Sequence, residues 1–573
     1  MNLKAALIFF LVLALLGFVN TEIVADDGKL LRGQKWKRFS LEGEKADFYV
    51  APNGNNSWSG RLAAPSPDQS DGPLATIQRA QQAVRELKSR IYLPKGKPVE
   101  KRWIGSSHKY GTGRDILVLV RSGYYSLDEP IRFTAADGGE RIETNLPSGA
   151  FEYHKLKDHY VTYAAYPDET PIISGGKRIK DWIHNNGIWT AHITQTKVQH
   201  LIANGKTLTL ARSPNDGYFT PSKFSQNAQE LFFRKNELQQ WPDIENSRVI
   251  MLLRWHTGIN SFSRIDERTQ TAYLKKPQPG LLIVPPRYYV ENVKALLDAP
   301  GEWFFDQESK QLSLMVSETI SKPNDANVMA PILDQLVSIQ GTREEPVRNL
   351  RLYGLRFEGT VSEGRAIHYE YAHSCELADG DLRSMGGAGV SLAMGCYQNR
   401  ILNNTFEGIG NGAIIISGEA HPTHWIDIIR ENTIAYNSID NCGGTNISAS
   451  NTLHTVISHN LITNTRGRYA ISVGGWRNLE EAIDGGYRVE YNHLHHVQKD
   501  ADDSGVIKTA GLTHDSIIRR NLIHDVKAGY FNDNVGFWFD NMSSGWLAEG
   551  NIYYNLEQGE MKLCAANLVD NIY

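Results

Sequence analysis

The chain has 573 residues, too many for one compact core, so either two to four domains or one long stack of repeats is expected. Its 60 Lys and Arg nearly balance 64 Asp and Glu, giving a net charge of −4. That balance argues against nucleic-acid binding, which requires a basic face.

The first twenty residues, MNLKAALIFFLVLALLGFVN, place one lysine before an apolar run from Ala5 to Val19. The run is too short for a stable membrane span and is typical of a secretory signal peptide. We therefore assign residues 1–25 to a signal peptide and expect a secreted or periplasmic protein without membrane contact after cleavage. A retained N-terminal anchor is the alternative interpretation.

The next part of the chain, residues 26–177, is predicted to cap and begin a stack of repeats. The segment ATIQRAQQAVRELK places Ile77, Ala80, Val84 and Leu87 on one face of a helix. A helix there would cover the open end of a strand stack, whose edge would otherwise recruit other strands. Residues 178–325 lose the repeat, and their short strands rich in Trp and Tyr predict an inserted, sandwich-like β-rich domain.

The remaining residues, 326–573, contain a repeated pattern of Asn, any residue, an apolar residue and a polar turn. The repeated asparagines are Asn404, Asn432, Asn460, Asn492, Asn521 and Asn551, separated by 28, 28, 32, 29 and 30 residues. A coil of three short strands uses about that many residues, at ~3.3 Å per residue plus turns. The pattern predicts an all-β, right-handed parallel β-helix with these side chains stacked at one corner.

In the same pattern, Gly380 and Leu355 are expected to take the Asn position in earlier coils. Apolar residues after the Asn are expected to fill the tube, among them Phe406, Ile434, Leu461 and Ile523. The pattern recurs at Asn571 without a capping segment after it, which favours an incomplete C-terminus.

Four cysteines occur, with no C-x-x-C spacing, so neither a zinc site nor a redox site is indicated. They are Cys375, Cys396, Cys442 and Cys564, and buried free thiols are favoured over disulfides. No cofactor or metal is predicted.

Several segments resemble those of secreted bacterial β-helix proteins: FYVAPNGNNSWSG, DGPLATIQRAQQAVREL, YAAYPDETPIISGG, RYYVENVKALLDAPGEWFFD and GGAGVSL. From residue 47 onward the chain is most similar to glycoside hydrolase family 141. The resemblance implies hydrolysis of plant cell-wall or fucosylated polysaccharide, because the family's activities include α-L-fucosidase and xylanase. It also implies a catalytic pair, matched here by Asp503 in DSGVIKT and Asp540 in GFWFDNMSSG.

Glycoside cleavage needs one carboxyl group to protonate the leaving oxygen and another as nucleophile or base, ~5 Å away for retention and roughly 6.5–9.5 Å for inversion. Aligning Gly505 with Gly536 separates Asp503 and Asp540 by ~20 Å on straight strands. The pair then requires residues 497–503 to fold back across the strand. A cluster of Asp502 and Asp503 with Asp533 is the competing site.

The side chains around this pair are predicted to bind substrate. Trp538 lies between Phe537 and Phe539, so it should face outward and could stack on a sugar ring if those two point inward. The predicted binding set is Asp502, Lys508, His524, Asp533, Trp538 and Trp476. Each has an ordinary structural alternative: a turn aspartate, a packed tryptophan, or a structural histidine such as His495.

Two other functions stay open at this point. A polysaccharide lyase would use a base such as Lys508 with Ca²⁺ held by Asp502 and Asp503. A solenoid that binds carbohydrate without catalysis is the other. In all three cases the expected partner is a polysaccharide or oligosaccharide, and the protein is expected to be a monomer.

Overall fold

The computed structural model describes residues 29–30, 34–35, 41, 44–91, 113–146, 153–224, 229–278, 286–318, 320–475 and 483–564. The predicted signal peptide, Trp476 and the last residues from 565 lie outside this set. The chain divides into two units, Met1–Lys45 and Ala46–Tyr573. In the first, the strands Lys29–Leu30 and Gln34–Lys35 pair antiparallel. Within the described ranges, no helix has both the length and the apolar character to cross a membrane.

The second unit is a parallel β-helix, which confirms the predicted fold class. One coil consists of Arg400–Leu402, Thr405–Glu407 and Ile414–Ser417, each paired in parallel with a strand of the next coil. Stacking the coils builds three ladders, named here first, second and third in the order of these strands. Their inward side chains form one continuous hydrophobic core along the tube.

The described strands of the ladders are as follows. The first ladder contains Phe48–Val50, Ile116–Val120, Val161–Ala165, Leu350–Tyr353, Glu376–Ala378, Arg400–Leu402, Thr433–Ala435, Val456–Ser458 and Arg488–Glu490. The second contains Gly123–Ser126, Pro171–Ser174, Arg356–Thr360, Asp381–Met385, Thr405–Glu407, Ser438–Asp440, Leu461–Thr463, His493–His495, Leu522–Val526 and Ile552–Leu556. The third contains Ile131–Phe133, Val337–Gln340, Arg365–Glu370, Ala388–Leu392, Ile414–Ser417, Ile447–Ser450, Ile471–Val473 and Met561–Cys564.

Two strands are much longer than the rest, Gly505–Arg519 and Val535–Glu549. Each runs from the third ladder into the first ladder of the following coil without a separate turn. Ile507 pairs with Ile471 in the third ladder, whereas Ile517 pairs with Arg488 in the first. The register between the two long strands shifts after Ala510, at the bend between the ladders. These strands carry most of the candidate site.

An asparagine ladder fixes the corner between the first and second ladders. Its buried members are Asn404, Asn437, Asn460, Asn492 and Asn521, and it ends at Asn551. In each step a side-chain amide donates to the Oδ1 of the next Asn at 2.9–3.0 Å. The same Oδ1 also accepts the backbone N–H of the preceding member, as in Asn437 to Asn460.

The prediction that Asn432 belongs to this ladder is wrong. Asn432 precedes a strand of the first ladder and accepts instead from Asn399, in a separate short pair. Asn437 occupies its place, so the steps around it are 33 and 23 residues. The two predicted steps of 28 have the same total, which hid the error. Gly380, by contrast, does take the ladder position, since its N–H donates to Asn404 Oδ1.

The residue before each ladder position absorbs the strain of the corner, because its φ is left-handed. The values are 60° at Tyr436, 56° at His459, 55° at Tyr491 and 52° at Arg520. The following residues alternate, the first outward and the second inward. Phe406, Ile434 and Ile523 are fully buried as predicted, but Leu461 is 37% exposed and Ile462 fills the tube instead. The prediction for Leu461 is therefore wrong by one position.

The helix Ile77–Ile91 contributes Ile77, Ala80, Ala83 and Val84 to the main core, as the predicted cap requires. Outside the ladders, Glu140–Leu146 and Tyr153–His159 form an antiparallel hairpin. Short parallel pairs join Val347–Arg348 to Ala372–His373 and Ile429–Arg430 to Thr452–Leu453. Single turns of 3₁₀ helix occur at Ala135–Asp137, Ile244–Asn246, Lys294–Leu296 and Trp425–Asp427.

Residues 176–331 form mainly antiparallel sheets with two hydrophobic clusters of their own. We call this part the inserted module. Its strands are Gly176–Arg178, Ile183–Asn185, Ile188–His192, Ile202–Ala203, Lys206–Thr207, Thr209–Leu210, Arg212–Ser213, Lys223–Phe224, Glu230–Phe232, Arg248–Leu252, Thr257–Asn260, Phe262–Asp266, Thr271–Leu274, Arg287–Glu291, Glu302–Asp306, Gln311–Met315 and Val328–Pro331.

The cysteines Cys375, Cys396 and Cys442 are buried free thiols, as predicted. Cys564 ends the last described strand, and its side chain lies outside the described set.

Replacing Asn460 by Ala should lower the free energy of unfolding by about 2 kcal/mol or more, because several buried polar groups lose their partners together. These include the Asn437 N–H and the Ile434 carbonyl. Urea unfolding of the variant and of the matched Asn411→Ala, an exposed site, measures the difference. The control should change by less than about 0.5 kcal/mol. Equal effects at the two sites would contradict a stabilising ladder.

Candidate active site

Asp503 lies two residues before the long strand Gly505–Arg519, with a left-handed φ of 49°. Its carboxylate accepts two hydrogen bonds of 2.7 Å. One comes from the Trp255 indole N–H of the inserted module, and the other from Lys562 Nζ of the last described strand. Arg468 Nη2 donates to the Asp503 backbone carbonyl at 2.5 Å. Asp503 is thus held by three parts of the chain that are far apart in sequence.

Asp533 binds the backbone of Asp503, one coil earlier. Asp533 Oδ1 accepts the Asp503 N–H at 2.6 Å, and its Oδ2 accepts from Arg254 Nη2 at 2.9 Å. The same Arg254 nitrogen lies 3.8 Å from Asp503 Oδ1. Asp533 therefore acts as a link between the Asp503 backbone and the inserted module.

The register differs by one residue from the predicted alignment of Gly505 with Gly536. Gly505 pairs with Val535, so Asp533 is opposite Asp503 rather than Asp502. The inward pairing of Ile507 with Phe537 sets this register, because a slip of one residue would turn both side chains out of the core.

Burial raises the pKa of Asp503, but its polar neighbours reverse that effect. Hydrogen bonds from Lys562 and Trp255, with the charges of Lys562 and Arg254, bring the pKa below its ordinary value. Asp503 is consequently an ionised carboxylate at neutral pH.

Asp540 lies opposite Ala510, seven residues farther along the ladder than Asp503, which is about 23 Å on a straight strand. Its carboxylate is 8% exposed as a residue, lies 3.6 Å from Lys508 Nζ and accepts from the Asn541 amide at 3.1 Å. Burial lowers the pKa of Lys508, although the charge of Asp540 opposes this shift. Asp540 and Lys508 form a half-dry ion pair on the outer face of the third ladder.

Trp538 lies between the two carboxylates on the outer face. Phe537 and Phe539 point into the core, and Trp538 points outward, as the alternation predicts. However, its ring is only 4% exposed, since Lys562 Nζ lies 4.6 Å from its centroid and Tyr469 packs beside it at 6.3 Å. Trp538 therefore forms the floor of the site instead of an open surface.

Tyr469 connects the two carboxylates electrostatically. Burial raises the pKa of its phenol, and the charges of Asp540 and Asp503 raise it further. Both acids thus lie within electrostatic reach of one side chain. Lys562, which bonds Asp503, is also in register with Trp538 and Lys508, so the contacts run unbroken from one acid to the other.

Two predicted binding residues face other surroundings. Asp502 is 2% exposed and accepts the Phe531 N–H at 3.0 Å, with Arg287 Nη2 at 3.5 Å. Burial raises its pKa. Arg287 and Tyr530 line a neighbouring cavity of about 700 Å³, so Asp502 supports the wall between that cavity and Asp503.

His524 lies in the second ladder, and its contacts belong to a stack of histidines. Its Nε2 is 2.7 Å from His493 Nε2, and its ring stacks on His495 at 4.8 Å and on Tyr554 at 4.5 Å. The structure does not bring His524 to the Asp503–Asp540 cluster.

The sequence pattern did not identify the residues that surround the two acids. They are Arg254, Trp255, Arg468, Tyr469 and Lys562. Arg254 and Trp255 occupy the hairpin turn between Arg248–Leu252 and Thr257–Asn260. A 50% exposed tryptophan on a hairpin turn is unusual, and this is the signal that could have identified it.

The chain matches no protein-family model and no curated protein. A solved structure described as a glycoside hydrolase aligns with a TM-score of 0.71 at 17% identity, covering 91% of this chain and 96% of that chain. XylC in complex with xylose aligns with a TM-score of 0.43 at 12% identity, covering 90% and 69%. The family 28 exopolygalacturonase of Yersinia enterocolitica gives 0.30 at 10% identity, covering 92% and 79%. The first likeness supports the fold, and the other two are too distant to add to it.

Replacing Trp255 by Phe should raise the pKa of Asp503 by up to about one unit, because the ionised carboxylate loses a hydrogen-bond donor while the aromatic bulk stays. NMR titration of the Asp503 carboxyl carbon measures the shift. Protonation should then occur at a higher pH than in the wild type. Trp425→Phe, at another exposed tryptophan, is the control. An unchanged or lower pKa in Trp255→Phe would contradict the assigned contact.

Proposed function

We propose that this protein is a glycoside hydrolase that cleaves a polysaccharide or oligosaccharide with Asp503 and Asp540 as its carboxyl pair. The observation that carries the proposal is the cluster on the outer face of the third ladder. Asp503 bonds Lys562, Asp540 faces Lys508, and both acids act on Tyr469 beside Trp538. Two carboxyl groups on one side of an aromatic floor suit glycosidic cleavage.

The surroundings of Asp503 favour the role that requires a charge. Its lowered pKa keeps it ionised, so it would act as nucleophile or as the base that activates water. Asp540 is then left as the group that protonates the leaving oxygen, and it would recover that proton from the attacking water in completing the cycle. Lys562 and Trp255 would hold the Asp503 carboxylate in place throughout.

Trp255 offers the exposed aromatic surface that the site otherwise lacks. Its indole bonds Asp503, so a sugar ring stacked on it would lie beside that carboxylate. We propose a substrate from plant cell-wall or fucosylated glycans, as membership of glycoside hydrolase family 141 would imply. A secreted or periplasmic monomer with a cleaved signal peptide would encounter such polymers.

A polysaccharide lyase is the second candidate, favoured by Lys508. Burial lowers the pKa of this lysine, and the nearby charge of Arg468 adds to the shift. A lysine that loses its proton more easily could abstract a proton from carbon in β-elimination. A hydrolase releases a new reducing end without a double bond, whereas a lyase releases an unsaturated sugar that absorbs ultraviolet light. Product analysis therefore separates the two.

Replacing either Asp503 or Asp540 by Asn should reduce hydrolysis by about 10³-fold or more, because each substitution keeps the shape and removes the ionisable group. Released sugars from pectin, xylan and fucosylated glycans measure the activity. Circular dichroism and thermal unfolding should show an intact fold.

The matched control for both variants is Asp515→Asn, a 90% exposed aspartate on the same long strand as Lys508. Its activity should equal that of the wild type. Full activity in Asp503→Asn or Asp540→Asn would exclude the proposed pair, and attention would pass to Asp502, Asp503 and Asp533.

A further inference from the structure

We propose that Arg468 and Lys508 form a subsite for an anionic substituent of the sugar, a carboxylate or a sulfate ester, next to the carboxyl pair. This inference rests on the proposed function in one respect only, that the ligand of the outer face is a carbohydrate. It adds the chemical class of that ligand.

The charges of the site do not balance, and Arg468 is the excess cation. Among the described residues, Lys562 pairs with Asp503, Lys508 with Asp540, Arg254 with Asp533 and Arg287 with Asp502. These four pairs use every acid named in the cluster. Arg468 has no carboxylate partner in the described part of the chain.

The guanidinium of Arg468 is also short of hydrogen-bond acceptors. Its one described hydrogen bond goes to the Asp503 carbonyl, and its buried Nε has no partner among the described residues. A guanidinium group presents five donors, and leaving buried donors unpaired is costly. The remaining donors of this half-buried side chain suit a ligand oxygen better than any protein group near it.

Lys508 stands next to this unbalanced charge. Arg468 Cζ lies 4.9 Å and Lys508 Nζ 5.4 Å from the centroid of the same Tyr469 ring. Two cations over one ring repel each other, and Asp540, at 3.6 Å from Lys508, is the single carboxylate close to either. A bound anion between them would relieve the repulsion and accept from the Arg468 fork.

The position of the two cations agrees with a role in substrate recognition. Lys508 is in register with Trp538, the floor of the site, and Arg468 holds the backbone of Asp503. An anionic group bound there would lie on the same sugar chain that reaches the acids. Neutral glycans would leave Arg468 uncompensated, so the site should prefer acidic ones.

The test compares binding of three probes to the intact protein by calorimetry: an oligogalacturonate, a sulfated galacto-oligosaccharide and the neutral galacto-oligosaccharide of equal length. The wild type should bind at least one anionic probe about ten-fold or more tightly than the neutral one, and this preference should shrink with added salt. The anionic probe that binds better identifies the substituent as carboxylate or sulfate.

In Arg468→Gln the preference for the anionic probe should disappear while binding of the neutral probe stays the same. Arg468→Lys should keep part of the preference, since the charge remains without the planar fork. Arg466→Gln is the matched control, because Arg466 lies two residues away, is 60% exposed and pairs with Asp500. Its binding should not change.

Equal wild-type affinity for all three probes would overturn the subsite. So would an Arg468→Gln variant that loses neutral and anionic binding alike, since Arg468 would then only support Asp503. Neither result depends on turnover. Loss of hydrolysis in Asp503→Asn with equal probe affinities would refute the subsite alone, whereas selective anionic binding with full activity in that variant would refute the carboxyl pair alone.

Discussion

The hydrogen-bonded asparagine ladder is the contact on which the rest of the tube depends. Each amide oxygen accepts the backbone N–H and the side-chain N–H of the preceding coil, while the amide nitrogen donates onward, as at Asn460. Buried polar groups must be paired, so a coil that slipped by one residue would lose these bonds and turn its apolar side chains outward. The ladder therefore sets the register of every coil, and with it the alignment of Lys508, Trp538 and Lys562 on the outer face.

That register is obtained at a local conformational cost. The residue before each ladder position has a left-handed φ, even where it is Tyr436 or Tyr491. A left-handed conformation costs roughly 1–2 kcal/mol for a residue other than glycine. The aromatic rings at these positions compensate in part, because His459 stacks between Tyr436 and Tyr491 at 4.8 and 5.0 Å. The corner is thus stable through the ladder and the stack together.

The candidate site combines this regular scaffold with contacts that break its regularity. The long strands supply Lys508, Trp538 and Asp540, whereas the inserted module brings Arg254 and Trp255 to Asp503 and Asp533. The partners, more than the acids themselves, decide the chemistry. Asp503 is ionised because donors surround it, and Asp502, its neighbour in sequence, has a raised pKa because it is buried on the other side of the turn. The same fold could hold an inactive binding surface if these partners were absent.

The amino-acid sequence by itself determined the β-helix, the capping helix and the inward positions of Phe406 and Ile523, because period and burial are local patterns. It also indicated that Asp503 and Asp540 flank neighbouring strands. It could not separate Asn432 from Asn437, since two corners of one coil both use Asn and coil lengths vary from 23 to 33 residues. Tertiary structure alone decided that Trp538 is covered, that His524 belongs to another ladder, and that Lys562, Trp255 and Arg468 surround Asp503. The physical reason is that these contacts join residues up to 248 positions apart, and no local pattern encodes which turn of an inserted module meets which coil.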